Sequence, residues 1–314
     1  METSQPRFVI GEKEVAEISS YCRIAKANSS RLTLTELLQL TTADATEEDL
    51  LGAWGENATL SSMYQVESGY IVERGQGGGV ASPTEVDVEE GNRARARTNI
   101  SAARELARIC ADDRVELLAV SGGNSYKSAR DGDDIDFFCV TTKDSLWLFM
   151  LKSLLVARLY QLTRRSAPFC FSYVMDEDRA LREFAETGDG LFARDALAAE
   201  VLVGRGFYRS LLLQATWMQS FFPRMYHRGL SAAEEGGRDR QRKRGSRTLN
   251  AFLYYTVGGY VRMKAYLLNR RYRSRGNVAS VFRVRIGTDH CIYESNRYQR
   301  LRSMYGGQGV DEEA

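Results

Sequence analysis

Two short apolar runs, Val115–Val120 (VELLAV) and Ile135–Thr141 (IDFFCVT), flank the polar segment SGGNSYKSARDGDD. No other stretch restricts the fold as much. Runs of this length, bounded by glycine and aspartate, read as buried strands. An apolar helix over Ser145–Tyr160 and a third strand over Phe169–Met175 follow, so the middle of the chain predicts an α+β core with a short mixed sheet and flanking helices. From about Leu191 to Leu268 the pattern is mainly helical, broken by a basic, glycine-containing loop around Arg238.

Upstream, apolar residues recur at helical spacing over Glu14–Ala25, Thr33-Leu-Thr-Glu36 forms a capping box for a helix through Leu40, and a third helix is expected over Thr46–Trp54. Two strands, Ser61–Val66 and Gly69–Glu73, are expected around a Glu67-Ser68-Gly69 turn. Three helices and then a hairpin are the plan of a winged helix. Gly75–Asn92, with four glycines before Val80 and then an acidic run, has the composition of an exposed loop or linker. A basic helix should follow over Arg93–Cys110, its apolar stripe made of Ile100, Ala103, Leu106, Ala107 and Ile109. The expected organisation is therefore a winged-helix-like domain and linker (1–92), an α+β core (93–190) and a helical C-terminal domain with basic segments (191–314).

A chain of 314 residues with 43% hydrophobic side chains can fill a core. Its five cysteines, Cys22, Cys110, Cys139, Cys170 and Cys291, are scattered and never spaced as a metal knuckle, which suits a reducing cytoplasm and suggests neither disulfides nor zinc. The opening METSQPRFVIGEKE lacks the plan of a secretory signal, and Lys152 and Arg158 interrupt the longest apolar stretch, so no membrane span is expected. Net charge is only +2, with basic residues crowded in Arg238–Arg247 and Arg270–Arg285. Such runs are first read as solvated loops.

In a strand, side chains two apart share a face, so Asp134 and Asp136 project together while Ile135 and Phe137 point inward. Two carboxylates about 5 Å apart repel by roughly 3 kcal/mol at an effective dielectric of about 20, a cost that a divalent cation removes. The matching ion is Mg2+, with Mn2+ as substitute, because it takes hard oxygen ligands and is held by one or two carboxylates together with substrate phosphates. Gly122 and Gly123 allow a tight turn whose backbone N–H groups can approach a polyphosphate. Ser121, Ser125, Lys127 and Arg130 complete the candidate phosphate-contacting set.

Val120-Ser-Gly122-Gly123, ten residues, then Asp134-Ile-Asp136-Phe137 resembles the glycine turn and paired-aspartate signature of the DNA polymerase β-like nucleotidyltransferase superfamily. The winged-helix-like part, the Trp147 helix, the PFCFSYVMDED strand and the WMQSFFP segment are similar to a little-characterised prokaryotic family that joins these parts in this order. The resemblance implies transfer of a nucleoside monophosphate from an NTP to an acceptor, with Mg2+ and release of pyrophosphate. The acceptor stays open among nucleic acid, protein and small molecule. In the superfamily the second turn position is often serine, where this chain has Gly123. Active members also carry a third carboxylate in mid-strand; here Ser172 occupies the polar face and Asp176, at the strand's end, is the candidate. If Asp176 does not reach the metals, the alternative is a catalytically silent nucleotide-binding regulatory or scaffolding protein.

Trp147 is read as core, and Tyr254, Tyr255, Tyr260 and Tyr266 as helix packing. His227 and His290 have no partner suggested by spacing. A DNA-reading role for the N-terminal module is disfavoured, because TEEDLLGAW is acidic where it would meet phosphate. A protein partner or a second subunit suits that module better.

Overall fold

A computed structural model describes residues 8–27, 30–43, 45–74, 83–163, 167–186, 188–234 and 242–305. The glycine run from Gly75 and part of the basic run, 238–241, lie outside these residues. The protein is α+β and divides into two compact units, 1–91 with 219–225, and 92–218 with 226–314.

The first unit contains α1 (Glu12–Ala27), α2 (Leu34–Leu40), α3 (Glu47–Glu56), α4 (Ala58–Met63), β1 (Tyr64–Glu67) and β2 (Tyr70–Glu73). The expected capping box of α2 is present: the Thr33 hydroxyl accepts from Glu36 N, and the Glu36 carboxylate accepts from Thr33 N. The strand expected from Ser61 begins only at Tyr64, because Asn57 accepts from Leu60 N and starts α4. Among the described residues four helices thus precede the hairpin, where three were expected. Ser68 and Gly69 both have positive φ, 50° and 81°, as a tight two-residue hairpin turn requires.

Helix α5 spans Pro83–Cys110, so residues 83–92 are helical where a loop was expected. Proline is tolerated at a first helical position, where its missing N–H would find no partner within the helix. The buried stripe of α5 includes Asn92, Ala96, Asn99, Ala103, Leu106 and Cys110, whereas Ile109 is exposed. The true stripe follows helical spacing through two asparagines, which a search for apolar residues passes over.

The second unit continues with β3 (Val115–Val120), α6 (Gly122–Ser125), β4 (Ile135–Thr141), α7 (Leu146–Thr163), β5 (Phe169–Asp176), α8 (Glu177–Glu186), α9 (Gly190–Ala198), β6 (Glu200–Val203), α10 (Arg205–Gln214), α11 (Met218–Phe221), α12 (Pro223–Glu234), α13 (Arg247–Ser274), β7 (Phe282–Ile286), β8 (His290–Ser295) and α14 (Asn296–Tyr305). Elements α11 and α12 contribute Gln219–Met225 to the first unit.

The mixed sheet has the order β6-β3-β4-β5-β8-β7, with β4 and β5 parallel and the other neighbours antiparallel. Residues after 191 therefore supply β6, β7 and β8 in addition to helices, which corrects the expected helical C-terminal region. These strands are short and half-buried, so their alternation is weak in the sequence. Parallel pairing of β4 with β5 needs a crossover, and α7 provides it. Trp147 on α7 is fully buried and donates its indole N–H to Gly287 O at 3.0 Å. Tyr254 packs edge-on to Trp147, but Tyr255, Tyr260 and Tyr266 are exposed, contrary to the packing role expected for all four. Among the described residues no helix is long and apolar enough to cross a membrane.

Candidate functional site

The C-terminal end of β3 and the N-terminal ends of β4 and β5 meet at one end of the sheet. Asp134 immediately precedes β4 and Asp136 is its second residue. The strand pairing sets Asp136 opposite Cys170 of β5. Carboxylate oxygens of Asp134 and Asp136 and the Cys170 thiol sulfur lie within 4.8 Å of one another, a group of three side chains of types that could hold a metal ion.

The glycine turn is held against this group by short-range hydrogen bonds. Ser121 N donates to Asp136 O at 2.9 Å, and Gly122 follows with φ +64°. Glycine is favoured there by its positive φ, and a Cβ would stand 3.1 Å from Asp136 Oδ2, close enough that the carboxylate would have to shift by a few tenths of an ångström. Gly123 has an ordinary φ, and the nearest atom to a Cβ there is 3.7 Å away. Gly122→Ala is accordingly expected to cost about 1–2 kcal/mol and to displace Asp136, while Gly123→Ala stays within about 0.5 kcal/mol. Thermal denaturation of both variants checks this; equal losses would contradict it.

Behind the turn, Asn99 of α5 donates to the buried Asn124 at 2.8 Å, and Asn124 Nδ2 donates to Asp134 O at 2.9 Å. This buried relay ties a helix, the turn and the first aspartate together. Tyr126 donates its hydroxyl to Asp195 of α9, and the Arg194 guanidinium lies 4.3 Å from the centre of the Tyr126 ring. The loop then closes through Arg130 N, which donates to Asp133 Oδ2 at 2.8 Å.

Electrostatics mark Asp136 out. Burial, and then the neighbouring Asp134 charge, hold its carboxyl well above the ordinary carboxylate range, against hydrogen bonds from Ser172 and Cys170. Asp134 is exposed as a residue, yet partial desolvation of its carboxyl also raises its pKa. Burial and the two carboxylates push the Cys170 thiol upward. Placing these groups together without a cation carries an electrostatic cost.

The other expected residues fall in different places. Ser125 donates its hydroxyl to Gly122 O at 2.9 Å and so closes the turn. Ser121 makes no capping bond with its side chain. Lys127 is exposed with φ +58°, and Arg130 is half-buried in the same loop. Asp176 is not brought to the pair. It is level with Thr141, five residues along β4 from Asp136, or roughly 16 Å at the usual strand rise. There it accepts from Arg179 N, and burial raises its pKa to about 6.

Sequence reasoning missed Cys170, Asn99, Asn124, Asp195 and Arg297. Alternation on β5 could have revealed Cys170, two residues from Ser172 on the face that meets Asp136. Arg297 on α14 has its pKa lowered by burial and then by the nearby Arg130 charge. It has no sequence-local signal. No family model matches the sequence, and neither a curated protein nor a solved structure matches it.

Proposed function

We propose that this protein binds an NTP with Mg2+, or Mn2+ in its place, at Asp134 and Asp136 and transfers the nucleoside monophosphate to an acceptor. The observation that carries this reading is the convergence of two carboxylates on the Gly122 turn. The donor set fits: two hard oxygen ligands from one strand are the usual protein share of a magnesium–phosphate site. When bound, the ion supplies charge neutralisation at the phosphates and at the pyrophosphate leaving group. The protein's own contribution is placement. Gly122 and Gly123 open the backbone to phosphate oxygens, the Asn99–Asn124 relay holds the Asp134 backbone, and Arg130 with Arg297 offers positive charge beside the loop.

The acceptor is nucleic acid, a protein or a small molecule, since the site defines the nucleotide half of the reaction far better than the acceptor half. The N-terminal unit, read as winged-helix-like, serves docking of a protein partner or a second subunit. A second reading is favoured by the position of Asp176: with no third carboxylate among the grouped donors, the protein binds nucleotide as a silent regulator or scaffold.

Calorimetry with ATP, CTP, GTP and UTP plus Mg2+ tests the shared premise. Wild type should bind at least one, and Asp134→Ala and Asp136→Ala should lose that binding; equal binding in all three proteins would refute the site. Labelled NTPs with cell extract separate the two readings. Incorporation lost on Asp136→Ala supports transfer, whereas binding without incorporation supports the silent form.

A further inference from the structure

The third donor beside the two aspartates is a sulfur atom, and this changes which cations the centre should select. We infer that Cys170 makes it a mixed oxygen–sulfur site that binds a thiophilic divalent cation of the zinc class through Asp134, Asp136 and Cys170. The inference rests on the reading of the two aspartates as metal ligands and concerns the ion held by the protein alone, whereas magnesium arrives with the phosphates of an NTP and engages the carboxylates only.

The geometry is set by strand pairing. Asp136 and Cys170 are partners across the parallel β4–β5 pair, so their side chains leave the sheet on the same face. Asp134, two residues before Asp136, joins them there, and the three donor atoms lie within 4.8 Å of one another. A register shift follows at once: Asp136 pairs with Cys170 but Phe138 with Tyr173, so β5 carries one extra residue at this point. That irregularity sits at the site end of the strand, next to the sulfur.

Donor chemistry then decides the ion. Carboxylates alone suit magnesium, whereas thiolate shifts preference towards zinc-like ions, which accept cysteine and aspartate in one coordination sphere. Three protein ligands leave a fourth position for water or a phosphate oxygen, the plan of a reactive rather than a closed structural zinc site. When the metal–sulfur bond forms, the thiol proton passes to solvent. Magnesium does not form that bond and would engage the carboxylates only. The other four cysteines do not join the donor group, and Cys110, Cys139 and Cys291 are buried in the core.

The test uses the full chain, freed of metal by a chelator and titrated with Co2+ and then with Zn2+. Wild type should take up Co2+ with a sulfur-to-cobalt charge-transfer band in the near ultraviolet. That band should vanish in Cys170→Ser and Cys170→Ala and persist in Cys22→Ser. Zn2+ affinity measured by calorimetry should fall at least about tenfold in Cys170→Ser, because loss of even an outer-shell partner costs about 10–100-fold. Circular dichroism melts check that the serine variant is folded. No band in wild type, a band surviving in Cys170→Ser, or unchanged Zn2+ affinity would overturn the inference. Mg2+-dependent NTP binding on the same proteins separates it from the functional reading. Nucleotide binding without the band leaves that reading standing and removes this one, and the band without nucleotide binding does the reverse.

Discussion

Asp136→Asn should abolish Mg2+-dependent nucleotide binding and, in metal-free protein, should raise stability increasingly from weakly acidic to mildly alkaline pH while changing it little below about pH 4. The reason is the balance at this carboxyl. Burial and the Asp134 charge raise its pKa, and hydrogen bonds from Ser172 and Cys170 offset only part of that. A group that holds its proton more tightly when folded stabilises the fold fully below its unfolded pKa, near 4 for aspartate. That contribution is lost as pH rises through the raised folded value, because a desolvated charge beside Asp134 must then form. Asparagine cannot ionise and is close in shape to the protonated acid. Its advantage should therefore be absent below about pH 4, grow as pH rises towards the raised folded value and level off above it, at about 1–3 kcal/mol or more. Thermal melts of both proteins in chelator across this pH range measure it, and melting curves that stay parallel throughout would remove the electrostatic account. Saturating Mg2+ and nucleotide should invert the order, since only wild type gains binding energy.

The largest stability loss is expected away from the site, at Gly204→Ala. Gly204 sits before α10 with φ +85°, and a Cβ there would stand 1.7 Å from Glu116 O and 3.0 Å from Leu117 Cα of β3. The obstacle is backbone of a central strand, which no rotamer change can relieve. Left-handed strain and overpacking together should cost about 3–5 kcal/mol. Gly206, two residues on and within α10, meets nothing within 4 Å, so Gly206→Ala should be neutral or stabilising by up to about 1 kcal/mol. Denaturant unfolding of the two variants gives the comparison; similar midpoints would refute the close approach of Gly204 to β3.

Features carried by local spacing were legible in the sequence. The strands of Val115–Val120 and Ile135–Thr141, the α2 capping box, the buried Trp147 and the shared face of Asp134 and Asp136 each depend on residues a few positions apart. Features that depend on a partner far along the chain were misread or missed. Residues 83–92 have the composition of a loop but form the start of α5. The strands β6, β7 and β8 are short and find their stability in pairing, β6 with β3, β8 with β5 and β7 with β8. Asn99 and Asn124 look like surface residues until Asn99 is seen to donate to the Asn124 carbonyl and Asn124 in turn to Asp134 O. Asp195 meets Tyr126 only because α9 returns to the glycine turn.

By itself, then, the sequence determined the placement of the central pair: period-two spacing at the start of β4 brings both aspartates to one side, and glycine at position 122 permits the left-handed turn that Asp136 abuts. Which third group joins them was decided only by tertiary structure. Asp176 and Cys170 lie on the same strand, and nothing local says which is level with Asp136. The pairing register between β4 and β5, established across the α7 crossover, puts Cys170 beside Asp136 and Asp176 roughly 16 Å along the sheet.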